Sequence, residues 1–182
     1  MQKACRRTDF LFPFVSTRND LAEDRVSDTA RIKEIYLDEK SVVNRTPQVE
    51  HERKVAIYDL LEDNTFKLLD GPDGPYVLRL SIEESRLVFD VRNENEEPVK
   101  LFMLALSPFK SIVREYLMVC DSYFKAITNS SPSQIEAIDM GRRGLHNDGS
   151  DILEQRLKEK VELDHNTARR LFTLVCVLHI RA

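Results

Sequence analysis

The feature that constrains the fold most is a run of three segments with two-residue periodicity. Apolar and polar residues alternate over 76–82 and 86–92, and a third apolar segment covers 99–106. Such alternation is typical of β-strands, in which successive side chains point to opposite faces of a sheet. The links between these segments are only a few residues long, so neighbouring strands are expected to pair antiparallel. The sequence therefore predicts an antiparallel meander with one face covered by helices.

The segments that flank the meander predict helices and two further strands. Two helix starts combine a cap residue with proline, at Thr46-Pro47 and Ser107-Pro108, and the last segment is apolar around most of its circumference. The prediction is an α+β fold, in which an antiparallel sheet of three to five strands packs against an N-terminal helix and a C-terminal bundle of about four helices. The additional elements are strands at 31–37 and 66–69 and helices at 46–64, 107–129, 132–143, 150–160 and 164–179.

The composition fits one globular domain. The chain has 182 residues, of which 42% are hydrophobic and 32% charged, and its net charge is -4. We predict a single domain at 31–182 after a poorly ordered tail at 1–30, in which the apolar residues 10–15 are too few and too broken by proline for a secretory signal. No apolar run approaches the roughly 20 residues that span a bilayer. Three cysteines without zinc-type spacing favour a reducing cytoplasm.

The stretch from Ser131 to Ser150 is the densest in polar groups. Ser131 and Gln134 have the spacing of a capping box, with proline between them at the first helical position. Gly141 and Gly144 are expected to end this helix, because glycine readily adopts the left-handed backbone of a helix end. Helical periodicity places Arg142 on the apolar side of the helix.

Arg53 lies one turn after Val49 on the apolar face of the helix at 46–64, so Arg142 and Arg53 are both predicted to face the interior. An unpaired buried charge is costly, so each needs a carboxylate or another anion. Together with Arg143, Arg169 and Arg170 they are candidates for an anion-binding cleft that takes a phosphate or carboxylate group. The alternative is a set of internal ion pairs with the nearby carboxylates Glu50, Glu52, Asp59, Glu136, Asp139 and Asp164.

His146 and Asp148 are the candidates for catalysis. His146 could act as a general base or a metal ligand, with Asp148 orienting its ring. The alternative is that Asn147, Asp148 and Gly149 form a turn, with Asp148 or Ser150 capping the next helix. No metal and no cofactor are predicted, because no recognised ligand spacing involves the remaining histidines His51, His165 and His179.

A helix-turn-helix is a further interpretation of the helices at 132–143 and 150–160. The second of these would be the recognition helix, and it carries Asp151, Glu154 and Glu159. Phosphates would repel these carboxylates. Charge therefore argues against nucleic-acid binding through the C-terminal helices.

Four segments carry a resemblance to a known family. The chain is similar, over about Arg31 to His179, to the uncharacterised alphaproteobacterial protein family UPF0262. The resemblance implies a bacterial cytoplasmic protein, and it transfers no catalytic residue to any position of this chain. The segments are HERKVAIYDLLEDNTF (51–66), GPYVLRLSI (74–82), SPSQIEAIDMGRRGLHNDGS (131–150) and TARRLFTLVCVLH (167–179).

The first functional hypothesis is a non-enzymatic interaction or regulatory protein, because no complete catalytic constellation or nucleotide-binding motif is visible. The second is an anion-binding or phosphoester-processing site for a phosphorylated metabolite or nucleotide, built on Arg53, Arg142, Arg143 and His146. The third is nucleic-acid binding. An unidentified protein partner or a small anionic ligand is expected and a membrane is not, while the oligomeric state stays open.

Overall fold

A computed structural model describes residues 29–38 and 47–179. The predicted tail at 1–30 lies outside the described residues except for Thr29 and Ala30. The α+β class is confirmed. In chain order the elements are β1 (Ile32–Leu37), α1 (Pro47–Glu62), β2 (Phe66–Leu68), β3 (Tyr76–Glu83), β4 (Arg86–Arg92), β5 (Pro98–Ala105), a 3-10 turn (Ser107–Phe109), α2 (Lys110–Asn129), α3 (Pro132–Leu157), β6 (Val161–Leu163) and α4 (His165–His179).

Four strands form the main sheet in the order β1-β3-β4-β5. The strands β3, β4 and β5 form the predicted antiparallel meander, with Leu80 opposite Phe89 and Phe89 opposite Phe102. The β3–β4 hairpin turns through Glu84 and Ser85, which both have positive φ, as in two-residue hairpins of type I′. The inward-facing residues of this meander supply one side of the core.

The strand β1 differs from the prediction, because it pairs with β3 in parallel. The sheet is therefore mixed rather than wholly antiparallel. A parallel neighbour needs a long crossover connection, and α1 lies within this one. The side chain of Asn64, just after α1, accepts a hydrogen bond from the Ile32 backbone N–H (2.7 Å) and donates one to the Ile32 carbonyl (3.0 Å). These bonds satisfy part of the outer edge of β1.

A second, two-stranded sheet pairs β2 with β6 antiparallel. The prediction included β2 but not β6, which has three residues and no extended alternation. Asp164 follows β6 and caps α4, because its carboxylate accepts hydrogen bonds from the Thr167 N–H (2.9 Å), the Thr167 hydroxyl (2.6 Å) and the Thr65 N–H (3.0 Å). These bonds lower the pKa of Asp164 even though its burial acts in the opposite direction. The small sheet thereby joins the end of α1 to the start of α4.

The helix α3 is the main correction to the predicted architecture. It runs without a break from Pro132 to Leu157, so the predicted helices at 132–143 and 150–160 are one helix and the C-terminal bundle has three helices. The predicted start is confirmed, since the Gln134 side chain accepts a hydrogen bond from the Ser131 N–H (3.1 Å). The expected glycine stop and the Asn147-Asp148-Gly149 turn are wrong. The turn that a helix-turn-helix would need is therefore absent from this stretch.

The glycines of α3 do not act as helix ends because no described glycine has positive φ. Gly141 and Gly144 are exposed, and a Cβ at either would meet no atom within 4 Å. Gly149 has a different role. A Cβ there would lie 2.1 Å from Cζ of Phe172 on α4, so the missing side chain lets the two helices approach closely.

The helix α4 is the central buried helix, as predicted. Most of its residues between Thr167 and Leu178 are buried, and it packs against α1 and α3. It runs antiparallel to α3, because His146 contacts Thr173 while Glu154 contacts His165. This antiparallel pair of helices positions the polar groups described below.

Candidate functional site

Four helices bring polar side chains together in the interior. We name this group the interhelical cluster and define it as Glu52 of α1, Tyr116 of α2, Arg142 and His146 of α3, and Thr173 of α4. Tyr116, Arg142 and His146 are more than nine-tenths buried. Buried polar groups need hydrogen-bond partners, so the way each one is satisfied shows what the cluster can do.

Arg142 faces the interior as its helical position predicted. Its Nε and Nη2 both donate to Oδ1 of Asp139, at 2.9 and 2.6 Å, and its guanidinium lies 5.4 Å from the ring centre of Tyr123. Although burial lowers the pKa of Arg142, the hydrogen bond to Asp139 raises it above the usual value. The carboxylate of its own helix therefore provides the negative partner that the buried position demands.

Arg53 is also paired within its own helix. Its Nη1 lies 3.1 Å from Oε1 of Glu50, and its side chain is about one-fifth exposed. Its Nε is buried without a hydrogen-bond partner among the described residues. Both arginines that were predicted to face inward thus have carboxylate partners, which favours the internal ion pairs that were considered as the alternative to a shared cleft.

The other three arginines have separate environments. Arg143 is exposed and its Nε donates to Oδ2 of Asp139 at 2.8 Å, because residues four apart are neighbours on a helix surface. Arg170 donates to the backbone carbonyl of Asp63 just beyond the end of α1. Arg169 is half-buried, and no ion pair to it exists among residues 29–38 and 47–179. Two of the five candidates therefore share one carboxylate, and Arg169 is left without one.

The charges on α3 act on Arg169. Burial lowers the pKa of Arg169, and the positive charges of Arg142 and Arg143 lower it further. An arginine keeps its charge despite such a shift. The shift shows that three guanidinium groups from α3 and α4 lie within electrostatic reach of one another, and the negative charge of Asp151 opposes their effect on Arg169.

His146 is buried between α2 and α4. Its Nε2 lies 2.9 Å from the Thr173 hydroxyl, which itself donates to the Arg169 carbonyl at 3.2 Å. Because the hydroxyl has a single proton, His146 Nε2 must carry the proton that it shares with Thr173. The ring centre lies 5.2 Å from that of Tyr116 and 5.4 Å from that of Phe172. Nδ1 is then a buried acceptor without a described donor.

Burial and the charges of Arg169 and Arg142 lower the pKa of His146 to about 3. The ring is therefore neutral at physiological pH. A group with this pKa is a poor general base near pH 7, because efficient acid–base catalysis needs a pKa near the working pH. The geometry assigns His146 a packing and hydrogen-bonding role between two helices.

Asp148 does not orient His146, which corrects the predicted pairing. The two residues are two positions apart on one continuous helix, and residues at this spacing do not face each other. His146 is buried and Asp148 is exposed. The interpretation depended on a turn in the chain at this point, and the structure has a helix there.

The sequence analysis named Glu52 as a possible ion-pair partner of the arginines but did not place its side chain inside the site. Glu52 is spaced four and eight residues before Ala56 and Leu60, which are both buried, so the same helical periodicity that singled out Arg53 could have found it. Its Oε1 is buried and has no hydrogen-bond partner among the described residues. Burial raises the pKa of Glu52 to about 7, while the positive charge of Arg142 opposes this shift.

The sequence comparisons identify the family of this chain. The model of the family described as "Uncharacterised protein family (UPF0262)" matches residues 29–181. The chain belongs to the UPF0262 family. A UPF0262 protein of Rhodospirillum rubrum is 55% identical over 161 residues, which cover 88% of this chain and 99% of that relative. The matched range contains the four segments on which the resemblance to this alphaproteobacterial family was based, so the resemblance is confirmed.

Two further UPF0262 proteins show the same level of similarity. The relative from Paramagnetospirillum magneticum is 57% identical over 151 residues, covering 83% of this chain and 96% of the relative. The relative from Brucella canis is 56% identical over 153 residues, covering 84% and 95%. No solved structure matches the chain. Within the described residues, no helix is both long and apolar enough to cross a membrane.

Proposed function

We propose that this UPF0262 protein is a non-enzymatic regulatory protein that binds a small anionic ligand between α3 and α4. The ligand class is a phosphorylated metabolite or nucleotide. The observation that carries the proposal is the imbalance of charge around Arg169: the positive charges of Arg142 and Arg143 both act on it, and the carboxylate of Asp151 opposes them without forming an ion pair with it. An anion at Arg143 and Arg169 would reduce this imbalance.

The proposal narrows the predicted arginine cluster. Arg53 is paired with Glu50, and Arg170 is bound to a backbone carbonyl at the end of α1, so neither is assigned to the ligand. Arg142 holds the carboxylate of Asp139 in place and does not contact the ligand. Arg143 and the half-buried Arg169 provide the hydrogen-bond donors to the ligand. Guanidinium groups suit phosphate and carboxylate because their planar donors match two oxygen atoms at once.

Binding is favoured over phosphoester processing because the histidine of the site is neutral and enclosed. His146 is in contact with Tyr116, Phe172 and Thr173, and its low pKa leaves it a weak base. We propose a cytoplasmic location, since the described cysteines Cys120 and Cys176 are free thiols.

The test is thermal unfolding of the full chain with inorganic phosphate, pyrophosphate and ATP, each compared with chloride at equal ionic strength. A ligand that binds the folded state raises Tm in proportion to its affinity and concentration. We expect at least one of the phosphate compounds to raise Tm, and we expect Arg169→Gln to remove that rise. Arg156→Gln, an exposed arginine on the same helix as Arg143, is the matched control and should keep it.

Two results would contradict the proposal. One is a Tm that does not respond to any of the three phosphate compounds at millimolar concentration. The other is an equal response in the Arg169→Gln variant, which would show that the anion binds elsewhere. Steady turnover of a phosphoester that is lost in His146→Ala would instead establish the enzymatic alternative.

A further inference from the structure

A second group of polar side chains lies on the same two helices, about two helical turns from the interhelical cluster. Asp151 and Glu154 are three residues apart on α3 and so share a face of the helix, and His165 is the first residue of α4. One ligand atom from each of the three residues lies within 4.8 Å of the others. We name these three residues the surface triad.

The distances within the surface triad differ from those of good hydrogen bonds. His165 Nδ1 lies 3.4 Å from Oε2 of Glu154 and 3.6 Å from Oδ1 of Asp151, whereas a strong N–H···O bond spans about 2.7–3.2 Å. Tetrahedral zinc bonds to nitrogen and oxygen at about 2.0–2.2 Å, which places neighbouring ligand atoms about 3.3–3.6 Å apart. Both distances agree with the edges of such a tetrahedron.

The three ligands are held by rigid parts of the fold. Leu153 and Leu157 are fully buried on this part of α3 and fix the helix against the core. His165 directly follows Asp164, whose carboxylate is bound to Thr65 and Thr167. Ligands on packed helices need little rearrangement to meet a metal ion, so the cost of ordering them is small.

The donor set distinguishes among metal ions. One imidazole nitrogen with two carboxylate oxygens suits zinc and related transition metals, while calcium and magnesium prefer oxygen ligands alone. Three protein ligands in an exposed position also leave a fourth coordination position for water. We propose that Asp151, Glu154 and His165 form a binding site for a single divalent zinc ion. This inference is independent of the anion-binding proposal.

Residue spacing provides no reason to expect this site, and the prediction of no metal is the opposite of the proposal. The ligands are divided between two helices, and their spacing of three and then eleven residues matches no compact zinc pattern. They meet because α3 and α4 pack antiparallel, a tertiary relation that residue spacing does not reveal.

The test is a calorimetric titration of the chelator-treated full chain with zinc chloride, repeated with magnesium chloride. We expect saturable binding of one zinc ion per chain and at least a tenfold weaker affinity for magnesium. His165→Ala and Asp151→Asn should each weaken zinc binding by at least about tenfold, since each variant removes a ligand. His51→Ala, which removes an exposed histidine of α1, should bind zinc as the unmodified chain does.

The substituted residues are exposed, so circular dichroism should show that all variants are folded. Zinc binding that is unchanged in His165→Ala would overturn the proposal by assigning the ion to another part of the chain. The absence of saturable binding, or equal affinities for zinc and magnesium, would also overturn it. None of these outcomes depends on whether phosphate binds at Arg169.

Discussion

The two faces of α3 carry the same kinds of residue with opposite consequences. The buried face has Arg142, His146 and Gly149, and the exposed face has Arg143 and Gly144. Arg142 is enclosed by Asp139 and Tyr123, whereas the neighbouring Arg143 binds the same carboxylate from a largely exposed position. Gly149 admits the ring of Phe172, while Gly144 has open space around it.

The comparison shows that packing, and not residue type, decides what these groups do. A polar group in the interior couples its protonation to the stability of the fold, because burial disfavours its charged form. A polar group on the surface has little effect on stability and can bind something from solution. Variants made in pairs, with one position buried and the other exposed, test this difference directly.

The largest effect should come from acid acting on His146. Its pKa is 6.5 in the unfolded chain and about 3 in the folded one, so between these values the unfolded chain binds a proton that the folded chain does not. Stability is therefore lost as the pH falls, by about 5 kcal/mol over the whole interval and about 2 kcal/mol between pH 6.5 and 5. Because Glu52 acts in the opposite direction over this range, we expect the loss to appear in urea denaturation as a change of about 2 kcal/mol in the difference between the unmodified chain and His146→Phe.

The phenyl ring of the His146→Phe variant keeps the contacts with Tyr116 and Phe172 but does not titrate. Asp148→Asn is the exposed partner and should change the free energy of unfolding by less than about 0.5 kcal/mol at either pH. The free energies of unfolding of His146→Phe and the unmodified chain are compared at pH 6.5 and pH 5. If their difference is the same at both values, the histidine is not kept neutral by burial.

Glu52 should have the opposite pH dependence. Its pKa rises from 4.5 to about 7 on folding, so the folded chain holds the extra proton and stability falls as the pH rises through this range. The loss amounts to about 3 kcal/mol. We expect Glu52→Gln to become more stable than the unmodified chain by about this amount between pH 4.5 and 8, as measured by urea denaturation.

The two groups oppose each other between about pH 4.5 and 6.5 by similar amounts, so their effects on the free energy of unfolding should largely cancel in the unmodified chain. Each single variant removes one of the two titrating groups, so the pH dependence of its stability should come from the other group. Glu62→Gln, at the exposed end of α1, is the matched control and should shift stability by less than about 0.5 kcal/mol. Equal pH profiles for Glu52→Gln and Glu62→Gln would contradict a buried, protonated Glu52.

The meander was predictable because its signal is local. Alternation over β3, β4 and β5 determines which side chains face the core, and the short links determine that the strands pair antiparallel. The partner of β1 is not encoded in its own pattern, since alternation within a strand is the same in parallel and antiparallel pairs. Its parallel pairing with β3 depends on the crossover through α1.

The continuity of α3 was not predictable from local signals. Glycine is a frequent helix end, and Asn147, Asp148 and Gly149 have the composition of a turn. What overrides these preferences is the packing of α3 on α4, where Phe172 occupies the space that Gly149 leaves. That contact joins residues far apart in the chain, so no window of sequence around Gly149 contains it.

The candidate site was predicted in part. Helical periodicity placed Arg142 inside correctly, and the same periodicity could have placed Glu52 beside it. Periodicity did not show that Asp139 would pair with Arg142, because the two are three residues apart and either could have faced away. The approach of Arg169 and His165 to α3 is a property of the antiparallel helix pair, which no pattern within one helix determines.

The smallest effect, with opposite signs on the two faces of α3, should come from replacing its glycines by alanine. In a helix, alanine is more favourable than glycine by about 1 kcal/mol, so Gly144→Ala should stabilise the chain by up to that amount. At Gly149 the added Cβ would overlap Phe172, which is fully buried. Overpacking of this kind costs about 1–3 kcal/mol, so Gly149→Ala should destabilise by about 1–2 kcal/mol net. Urea denaturation measures the stability of both variants. A gain in stability from Gly149→Ala would mean that Phe172 can move away from the added Cβ, and that α3 and α4 are not tightly packed at this contact.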